Sequence, residues 1–226
     1  MLAADGVHVW RVALGERPAG AALLSADERE RAVRLRFERD RSAFVAGRAA
    51  LRTILGGYLG ADPAALGFVA TEGGKPSVVD GGDLCFSFSR STPWALVAVT
   101  RQRQVGVDIE CVRPLTDVAG LVRAFFSPAE AEALAALPDA GRLAGFFAGW
   151  TAKEALAKAT GSGLAAVGGR GEADPRWSVH PVDVAPGTAA AVAVDGPAGE
   201  IVVLATSAAA LGEPAVVSSG HPDADC

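Results

Sequence analysis

The stretch GWTAKEALAKATGSGL, from Gly149 to Leu164, decides how the rest of the chain is interpreted. Trp150, Glu154 and Lys158 recur every four residues, so on a helix they lie along one stripe. The neighbouring residues are mostly alanine, leucine and phenylalanine, which leaves little of such a helix free to face water. The segment ends in a glycine-rich turn, where the backbone can approach a ligand closely. This pattern predicts a helix that lines a ligand site.

Lysine is rare in this chain, which has three lysines and eighteen arginines. Two of the lysines, Lys153 and Lys158, flank Glu154, and the third is Lys75 in the segment EGGKPSV. A lysine ammonium is a compact point charge that suits the binding of a phosphate. The alternative is a solvent-facing Glu–Lys pair, four residues apart, worth about 0.2–0.5 kcal/mol. The apolar neighbours favour the phosphate interpretation.

The same region repeats an earlier part of the chain at an offset of 102 residues. The segment FVAGRAA from Phe44 matches FFAGWTA from Phe146. At the same offset LSADERERA matches FSPAEAEAL, and each contains a Ser-x-x-Glu capping box that predicts a helix start. Two matches at one offset predict two halves of similar architecture, which we place at residues 1–105 and 106–207. The segment 208–226 is rich in small residues and prolines and is expected to be disordered.

Each half is predicted to combine a long helix with several strands, which makes the fold class α/β (α+β). The long helices are expected at about 40–59 and 141–160. A hairpin is predicted around the turn RSTP. The predicted strands lie at 84–89, 94–100, 105–112, 177–184, 189–195 and 200–207.

The run VGVDIE places two carboxylates, Asp108 and Glu110, on one face of a predicted strand. Val107 and Ile109 then face the opposite side, toward a core. Two like charges this close repel each other unless a cation lies between them, and oxygen ligands suit Mg²⁺. Taken alone, the pair is better explained as a solvated strand face. Together with the carboxylate and lysines of the Gly149–Leu164 helix, it indicates a metal-bridged polyphosphate.

The composition excludes several classes of protein. The net charge of −5 argues against a general nucleic-acid binder. No apolar run approaches the roughly 20 residues needed to cross a bilayer, and the start of the chain lacks the pattern of a signal peptide. The three scattered cysteines contain no CxxC pair, which indicates a reducing cytoplasm. Motifs of hydrolases, P-loop NTPases and dinucleotide-binding enzymes are absent from the sequence.

The motif GVDIE, followed by WTAKEALAKATGSGL, closely resembles the 4′-phosphopantetheinyl transferases of the surfactin-synthetase type. The family pattern is G-[IV]-D-[IV]-E and then W-[ST]-x-K-E-[AS]-x-x-K-x-x-G-x-G-[LF], and the chain matches every fixed position. The segments GGKP and FSFSRS are weaker family features. The resemblance covers about residues 24–204. It implies two pseudo-twofold-related subdomains in one chain, each a small antiparallel sheet packed with a long helix.

The resemblance also implies an activity. Such enzymes move the phosphopantetheine arm of coenzyme A to a serine of an acyl or peptidyl carrier protein and release 3′,5′-ADP. They activate polyketide, fatty-acid or nonribosomal peptide synthases. The implied cofactor is Mg²⁺, or Mn²⁺ in its place. We therefore expect a cytoplasmic monomer whose partners are coenzyme A and a carrier protein, without a nucleic acid or a membrane.

The resemblance assigns the reacting centre to the two signature motifs. The implied metal ligands are Asp108, Glu110 and Glu154, and Glu154 is also the implied general base for the carrier serine. Lys153 and Lys158 match lysines that contact phosphate or stabilise developing charge.

The coenzyme-binding positions match the family only in part. Lys75 and Ser89 match residues near the 3′-phosphate and adenine of coenzyme A. The family histidine for the 3′-phosphate is replaced by Arg90, which stays charged at every pH and is expected to retain binding with less pH dependence. The alternative is that Arg90 is a turn residue facing water.

A second departure lies in the segment RDRSAFVAGR. Many members have an arginine near the position of Ala43, and either Arg41 or Arg48 is a candidate replacement, one turn away. Arg31 matches a basic residue near the coenzyme, whereas Glu28 stands where some members have lysine.

Two other functions stay open at this stage. One is a coenzyme A-binding sensor or subunit that has lost transfer, for which the Arg90 replacement is the only support. The other is a different Mg²⁺-dependent, phosphate-handling enzyme that shares the motif by chance. The complete set of acids and lysines favours the transferase, because a binding protein needs no general base.

Overall fold

The computed structural model describes residues 2–3, 5–15, 20–71, 74–163 and 174–212. Nine strands lie in these ranges and form two main sheets and a small two-stranded ribbon. In chain order the strands are β1 (Val7–Ala13), β2 (Phe68–Ala70), β3 (Pro76–Val78), β4 (Leu84–Ser91), β5 (Trp94–Arg101), β6 (Val105–Cys111), β7 (Trp177–Pro181), β8 (Thr188–Asp195) and β9 (Ile201–Ser207).

The first sheet has the order β4-β5-β1-β9 and the second has the order β6-β8-β7. All neighbouring strands are antiparallel except β1 and β9, which run parallel. The predicted hairpin around RSTP is the β4–β5 hairpin. Strand β1 and the ribbon of β2 and β3 were not among the predicted strands.

Six helices lie in the described ranges. They are α1 (Ala26–Val33), α2 (Glu38–Leu59), α3 (Val118–Phe125), α4 (Pro128–Ala135), α5 (Asp139–Thr160) and α6 (Ala208–Gly212). The capping boxes at the starts of α1 and α4 are both formed, with Ser25 paired to Glu28 and Ser127 to Glu130. Each precedes a long helix of 22 residues, as the repeat predicts.

Alternating residues of the strands divide the core into layers. One face of the first sheet packs on α2 through residues such as Val12, Leu51 and Phe86. The other face packs on the second sheet, where Val107 and Ile109 meet Val9. The mixed architecture of small sheets packed with helices confirms the predicted fold class.

The outer face of the second sheet packs on α5 with unusually close contact. Small residues line both sides, with Ala155 and Ala159 of α5 against Ala191 and Ala193 of β8. A Cβ atom added at Gly106 of β6 would lie 1.9 Å from the carbonyl oxygen of Ala155, so only glycine fits there. Because side chains alternate along β6, Asp108 and Glu110 share this face and point toward α5.

The end of the chain differs from the expectation in two ways. Strand β9, placed with the second half, pairs along its whole length with β1 in the first sheet. Residues 208–212, expected to be disordered, form α6, because Ala208 is buried and Leu211 contacts the core around α2. The rest of that segment, residues 213–226, lies outside the described residues. Among the helices described, none is long and apolar enough to span a membrane.

Candidate active site

The residues of the two signature motifs line a cleft between β4, β6 and α5. The cleft consists of two adjoining cavities of about 370 and 380 Å³, which share Phe88, Glu154 and Lys158. The first cavity extends to Arg48 and Lys75 and to the turn after α5. The second also contains the predicted metal ligands Asp108 and Glu110, the predicted coenzyme-binding residues Ser89 and Arg90, and the aromatic side chain of Trp150.

Asp108 is the most buried acid of the cleft, with 6% of its surface exposed. Its Oδ1 accepts hydrogen bonds from Ser89 Oγ at 2.7 Å and from Lys158 Nζ at 2.7 Å. Its Oδ2 is buried without a hydrogen-bond partner in the described part of the chain. A buried carboxylate oxygen normally has a partner, since leaving it unpaired costs about 1–3 kcal/mol. This atom is therefore a candidate ligand for a bound cation.

Glu154 lies on α5 opposite the acids of β6. Burial raises the pKa of Glu154 above its usual range, and repulsion from Asp108 and, less strongly, Glu110 adds to this, while the Lys158 ammonium opposes it. The three carboxylates are thus close enough to repel one another across the cleft. A raised pKa suits a group that must accept a proton during a reaction.

The three acids line the same cavity without surrounding a single point. Within the described residues, no three acidic, histidine or cysteine side chains are arranged as a ready-made metal site. Lys158 instead supplies the positive charge beside Asp108, and its ammonium also donates to the Val107 carbonyl at 3.2 Å. The oxygen-only donor set and the unpaired Asp108 Oδ2 nevertheless fit a hard cation such as Mg²⁺.

Lys153 lies away from this cleft. Its ammonium pairs with Glu130 of α4 at 2.8 Å and lies 5.4 Å from the ring centre of Phe126. Adjacent residues of a helix point about 100° apart, so Lys153 faces α4 while Glu154 faces β6. The structure therefore brings Lys158 to the acids but does not bring Lys153 there, although the sequence grouped the two lysines.

Lys75 closes one side of the first cavity. Its ammonium donates to Gln104 Oε1 and to the Val105 carbonyl, both at 2.8 Å, and to the Ala159 carbonyl at 3.3 Å. Burial lowers the pKa of Lys75 to about 8. Lys75 lines the first cavity, and it also ties the loop before β3 to β6 and to the end of α5.

Three arginines form a positive region beside the cleft. Arg90 lines the second cavity, and its guanidinium lies 3.4 Å from the carbonyl oxygen of Asp40. Burial lowers the pKa of Arg90, attraction to Asp40 opposes this, and repulsion from Arg31 adds to it. Burial is also the largest cause that lowers the pKa of Arg48, where Glu28 is the main opposing charge and Arg31 again adds repulsion. These three arginines therefore share one neighbourhood.

The structure distinguishes Arg48 from Arg41, the two candidates for the arginine that many members have near the position of Ala43. Arg48 lines the first cavity and pairs with the buried Glu28, which also pairs with the fully buried Arg52 at 2.7 Å. Arg41 instead pairs with Glu38 at the surface and lines neither cavity of the cleft. The geometry favours Arg48, with part of its charge neutralised by Glu28.

Several residues of the cleft were not singled out from the sequence. Ser91 donates a hydrogen bond to Glu110 Oε2 at 3.1 Å, and Gln104 fixes the ammonium of Lys75. Gly106 permits the close approach of α5 to β6. The serines carried a usable signal, since FSFSRS alternates with the same period as VDIE and the two strands are adjacent.

Comparison with known proteins places this site in a family. Residues 104–182 match the model of the 4′-phosphopantetheinyl transferase superfamily. The chain is 44% identical over 171 residues to the 4′-phosphopantetheinyl transferase HetI of Nostoc sp. (strain PCC 7120), an alignment that covers 73% of this chain and 72% of HetI. It is 34% identical over 161 residues to a 4′-phosphopantetheinyl transferase of Bacillus subtilis, with 70% of each chain covered.

The chain therefore belongs to the 4′-phosphopantetheinyl transferase superfamily. This confirms the predicted enzyme class, a 4′-phosphopantetheinyl transferase. A putative 4′-phosphopantetheinyl transferase of Synechocystis sp. is also similar, at 34% identity over 149 residues that cover 65% of this chain and 61% of that protein. The matched region of the family model contains both acidic motifs of the cleft.

Proposed function

We propose that this chain is a single-chain transferase of the surfactin-synthetase type, which transfers phosphopantetheine from coenzyme A to a carrier-protein serine in the cleft between β4, β6 and α5. The observation that carries the proposal is the convergence of Asp108, Glu110 and Glu154 with Lys158 on one cavity. The two capping boxes at an offset of 102 residues support the two-half, single-chain type. Since all these residues come from one chain, the proposed active form is a monomer.

In this proposal the arginines beside the cleft hold the 3′-phosphate of coenzyme A. Arg90 provides the direct charge, and Arg48 and Arg31 add positive potential around it. A guanidinium offers paired donors to a phosphate and keeps its charge at every working pH. Lys75 lines the first cavity together with Arg48, near the turn that follows α5.

The diphosphate of coenzyme A lies among the acids and Lys158. Asp108, Glu110 and Glu154 are the residues that would hold Mg²⁺, with the unpaired Asp108 Oδ2 as the most available ligand atom. A bound Mg²⁺ supplies charge neutralisation on the phosphoryl oxygens. Lys158 adds a second positive charge at the same place, where it stabilises the charge that develops on the transferred phosphoryl group.

The transfer itself needs a base for the carrier hydroxyl. Glu154 accepts the proton of the serine hydroxyl, directly or through a water molecule, as the serine oxygen bonds to phosphorus. The bond from the same phosphorus to the bridging oxygen of the diphosphate breaks, and 3′,5′-ADP leaves with that electron pair.

The test is a mass measurement on an apo carrier domain. The protein is incubated with coenzyme A, Mg²⁺ and an acyl or peptidyl carrier domain, and the carrier is then weighed intact. We expect a gain of one phosphopantetheine group, which disappears when a chelator removes the metal and returns when Mg²⁺ or Mn²⁺ is restored. No gain on several carriers, despite tight binding of coenzyme A, would contradict the transferase and favour the sensor.

A further inference from the structure

Three serines of β4 face β6 beside the cleft. Ser87, Ser89 and Ser91 alternate along the strand, so their side chains lie on one face of β4. We name these three residues the serine ladder. All three hydroxyls form hydrogen bonds with β6, and those of Ser89 and Ser91 donate to the carboxylates of the cleft.

Ser89 fixes the orientation of Asp108. Its hydroxyl donates to Asp108 Oδ1 at 2.7 Å, and both residues are buried. Lys158 donates to the same oxygen at 2.7 Å. Two donors on one oxygen restrict rotation of the carboxylate and leave Oδ2 as the oxygen without a partner among the described residues.

Ser91 orients the carboxylate of Glu110, and Ser91 is itself held by the backbone of β6. Its hydroxyl accepts the Cys111 N–H at 3.0 Å, which ties it to the backbone of β6, and donates to Glu110 Oε2 at 3.1 Å. Glu110 also has a cation nearby, since Arg113 lies 3.7 Å from the same Oε2. The Ser91–Glu110 hydrogen bond is longer and less buried than the 2.7 Å bond between Ser89 and Asp108, so its loss is expected to have the smaller effect.

Ser87 provides an internal comparison. It is as buried as Ser89, at 5% and 7% exposed respectively. Its hydroxyl accepts the Val107 N–H at 3.0 Å, and it makes no hydrogen bond to a carboxylate in the described part of the chain. Ser87 thus contributes to the joint between β4 and β6 without contacting an acid of the site.

We propose that Ser89 and Ser91 are positioning residues, which orient the carboxylates of Asp108 and Glu110 and thereby set the affinity of the site for a divalent cation. This rests on the proposed function, in which those acids hold the metal. Hydrogen bonds to ligand carboxylates restrict them to the binding orientation, and loss of such a partner typically costs about 10–100-fold in metal affinity. The family resemblance assigned Ser89 to coenzyme A, whereas its hydrogen bond connects it to Asp108.

The experiment measures metal binding directly. Mn²⁺ is titrated into the full chain saturated with coenzyme A, without carrier protein, and free Mn²⁺ is followed by electron paramagnetic resonance. A protein-free sample with the same coenzyme A corrects for metal bound by the coenzyme alone. Thermal unfolding of each variant is recorded in parallel, without added metal.

We expect Ser89→Ala to raise the Kd for Mn²⁺ about tenfold or more, in line with other supporting hydrogen bonds. Ser91→Ala should raise it by a smaller factor, because the Ser91–Glu110 hydrogen bond is longer and less buried than the Ser89–Asp108 bond. Ser89→Thr, which retains a hydroxyl, should stay close to the unmodified protein. Ser87→Ala should lower the melting temperature but leave the Kd for Mn²⁺ within about twofold, since its hydrogen bond is to a backbone amide.

An unchanged Kd in Ser89→Ala would overturn the inference. An equal rise in Ser89→Ala and Ser87→Ala would also overturn it, because the effect would then follow from a loosened joint between the strands. If Ser89→Ala does not fold, the same comparison between Ser91→Ala and Ser87→Ala decides. If the unmodified protein transfers phosphopantetheine but the variants keep its Kd for Mn²⁺, only this inference is refuted. If the unmodified protein does not transfer phosphopantetheine, the proposed function is refuted.

Discussion

At the scale of single residues, Glu154 lowers the stability of the metal-free protein when its carboxyl group is ionised. Burial and two neighbouring carboxylates raise its pKa, so the folded protein holds this proton more tightly than the unfolded chain does. Stability from this group is therefore present at low pH and is lost as the pH rises through the folded pKa. At neutral pH the ionised carboxylate destabilises the metal-free protein.

Replacement of Glu154 by glutamine should accordingly raise the melting temperature of the metal-free protein at pH 7.5. Each kcal/mol of relieved repulsion raises it by about 2–4 °C in a chain of this size. The gain should shrink as the pH is lowered toward the usual glutamate range, because the unmodified carboxyl is then protonated. Differential scanning fluorimetry across this pH range measures it.

Glu130→Gln is the matched control for this prediction. Burial opposes its ionisation, but hydrogen bonds from Lys153 and from Ser127 outweigh burial and lower the pKa of Glu130. That variant should lose stability at neutral pH. A Glu154→Gln variant that also melts at a lower temperature at pH 7.5 would show that Glu154 is not a strained group.

Arg90 should determine how strongly the 3′-phosphate of coenzyme A is recognised. Arg90→Ala removes a charged donor, which is expected to raise KM for coenzyme A about tenfold or more but to change KM for 3′-dephospho-coenzyme A little. In Arg90→His, KM for coenzyme A should rise as the pH passes about 6.5, because histidine loses its charge there. Steady-state kinetics with both donors measure these effects.

Arg41→Ala serves as the comparison, since Arg41 pairs with Glu38 at the surface. It should leave KM for both donors within about twofold. Equal increases for coenzyme A and its dephospho form in Arg90→Ala would contradict a 3′-phosphate role for Arg90.

At the scale of single elements, the site depends on how closely α5 crosses β6. A methyl group at Gly106 would overlap the backbone of α5 at Ala155 and Ala159, and a backbone cannot move aside as a flexible side chain can. The helix would have to shift outward and carry Glu154 away from Asp108. The glycine of the GVDIE motif thus positions the site without taking part in its chemistry.

Gly106→Ala should therefore destabilise the protein by roughly 3 kcal/mol or more, at the upper end of overpacking effects. It should also reduce transfer in whatever fraction remains folded. Gly57→Ala is the control, because Gly57 lies on α2 and no described residue comes within 4 Å of the added methyl group. That variant should gain about 0.5–1 kcal/mol from reduced backbone freedom. Urea unfolding of the two variants compares these values, and a stable Gly106→Ala would contradict the close crossing.

Local signals account for which elements were predicted from the sequence. The helix α5 and the strands β4, β5 and β8 carry strong periodic patterns and lie within a few residues of their predicted positions. Strand β9 was found, but its partner was not, because pairing with β1 joins the two ends of the chain and leaves no local trace. Helix α3 and strand β1 were not predicted, although they are as long as α4 and β9, which were.

The candidate site was predictable to the same extent. Motif spacing placed Asp108, Glu110, Glu154 and Lys158 together, and all four line one cavity. The grouping of Lys153 with them failed, because its direction depends on Glu130, a residue of the neighbouring helix α4. Contacts across elements, unlike spacing along one element, require the tertiary structure.

At the scale of the whole molecule, the chain links the two sheets, because its last strand pairs in the first sheet. Strand β9 follows the second sheet in sequence but completes the first. Arg103, just before β6, donates to the carbonyl oxygens of Asp5, Asp195 and Pro197 at 3.0, 2.7 and 2.6 Å. Neither half keeps all its partners if the other unfolds, so we expect one cooperative transition.

The four tryptophans allow the cooperativity of unfolding to be measured. Two lie in the first sheet, and the other two lie in α5 and the second sheet. A Trp10→Phe, Trp94→Phe variant reports on the second sheet and α5 through Trp150 and Trp177. In that variant, urea unfolding followed by fluorescence should coincide with unfolding followed by far-ultraviolet circular dichroism. Separate midpoints would indicate that the two parts unfold independently.

The most direct test of the proposed chemistry is the single-turnover rate of carrier modification by Glu154→Gln, at saturating coenzyme A and Mg²⁺. We expect a rate at least about a hundredfold below that of the unmodified protein, because the serine hydroxyl has lost its base, while coenzyme A still binds measurably. A variant that modifies the carrier at the unmodified rate would contradict the assignment of Glu154 and, with it, the convergence of the three acids on the reacting phosphate.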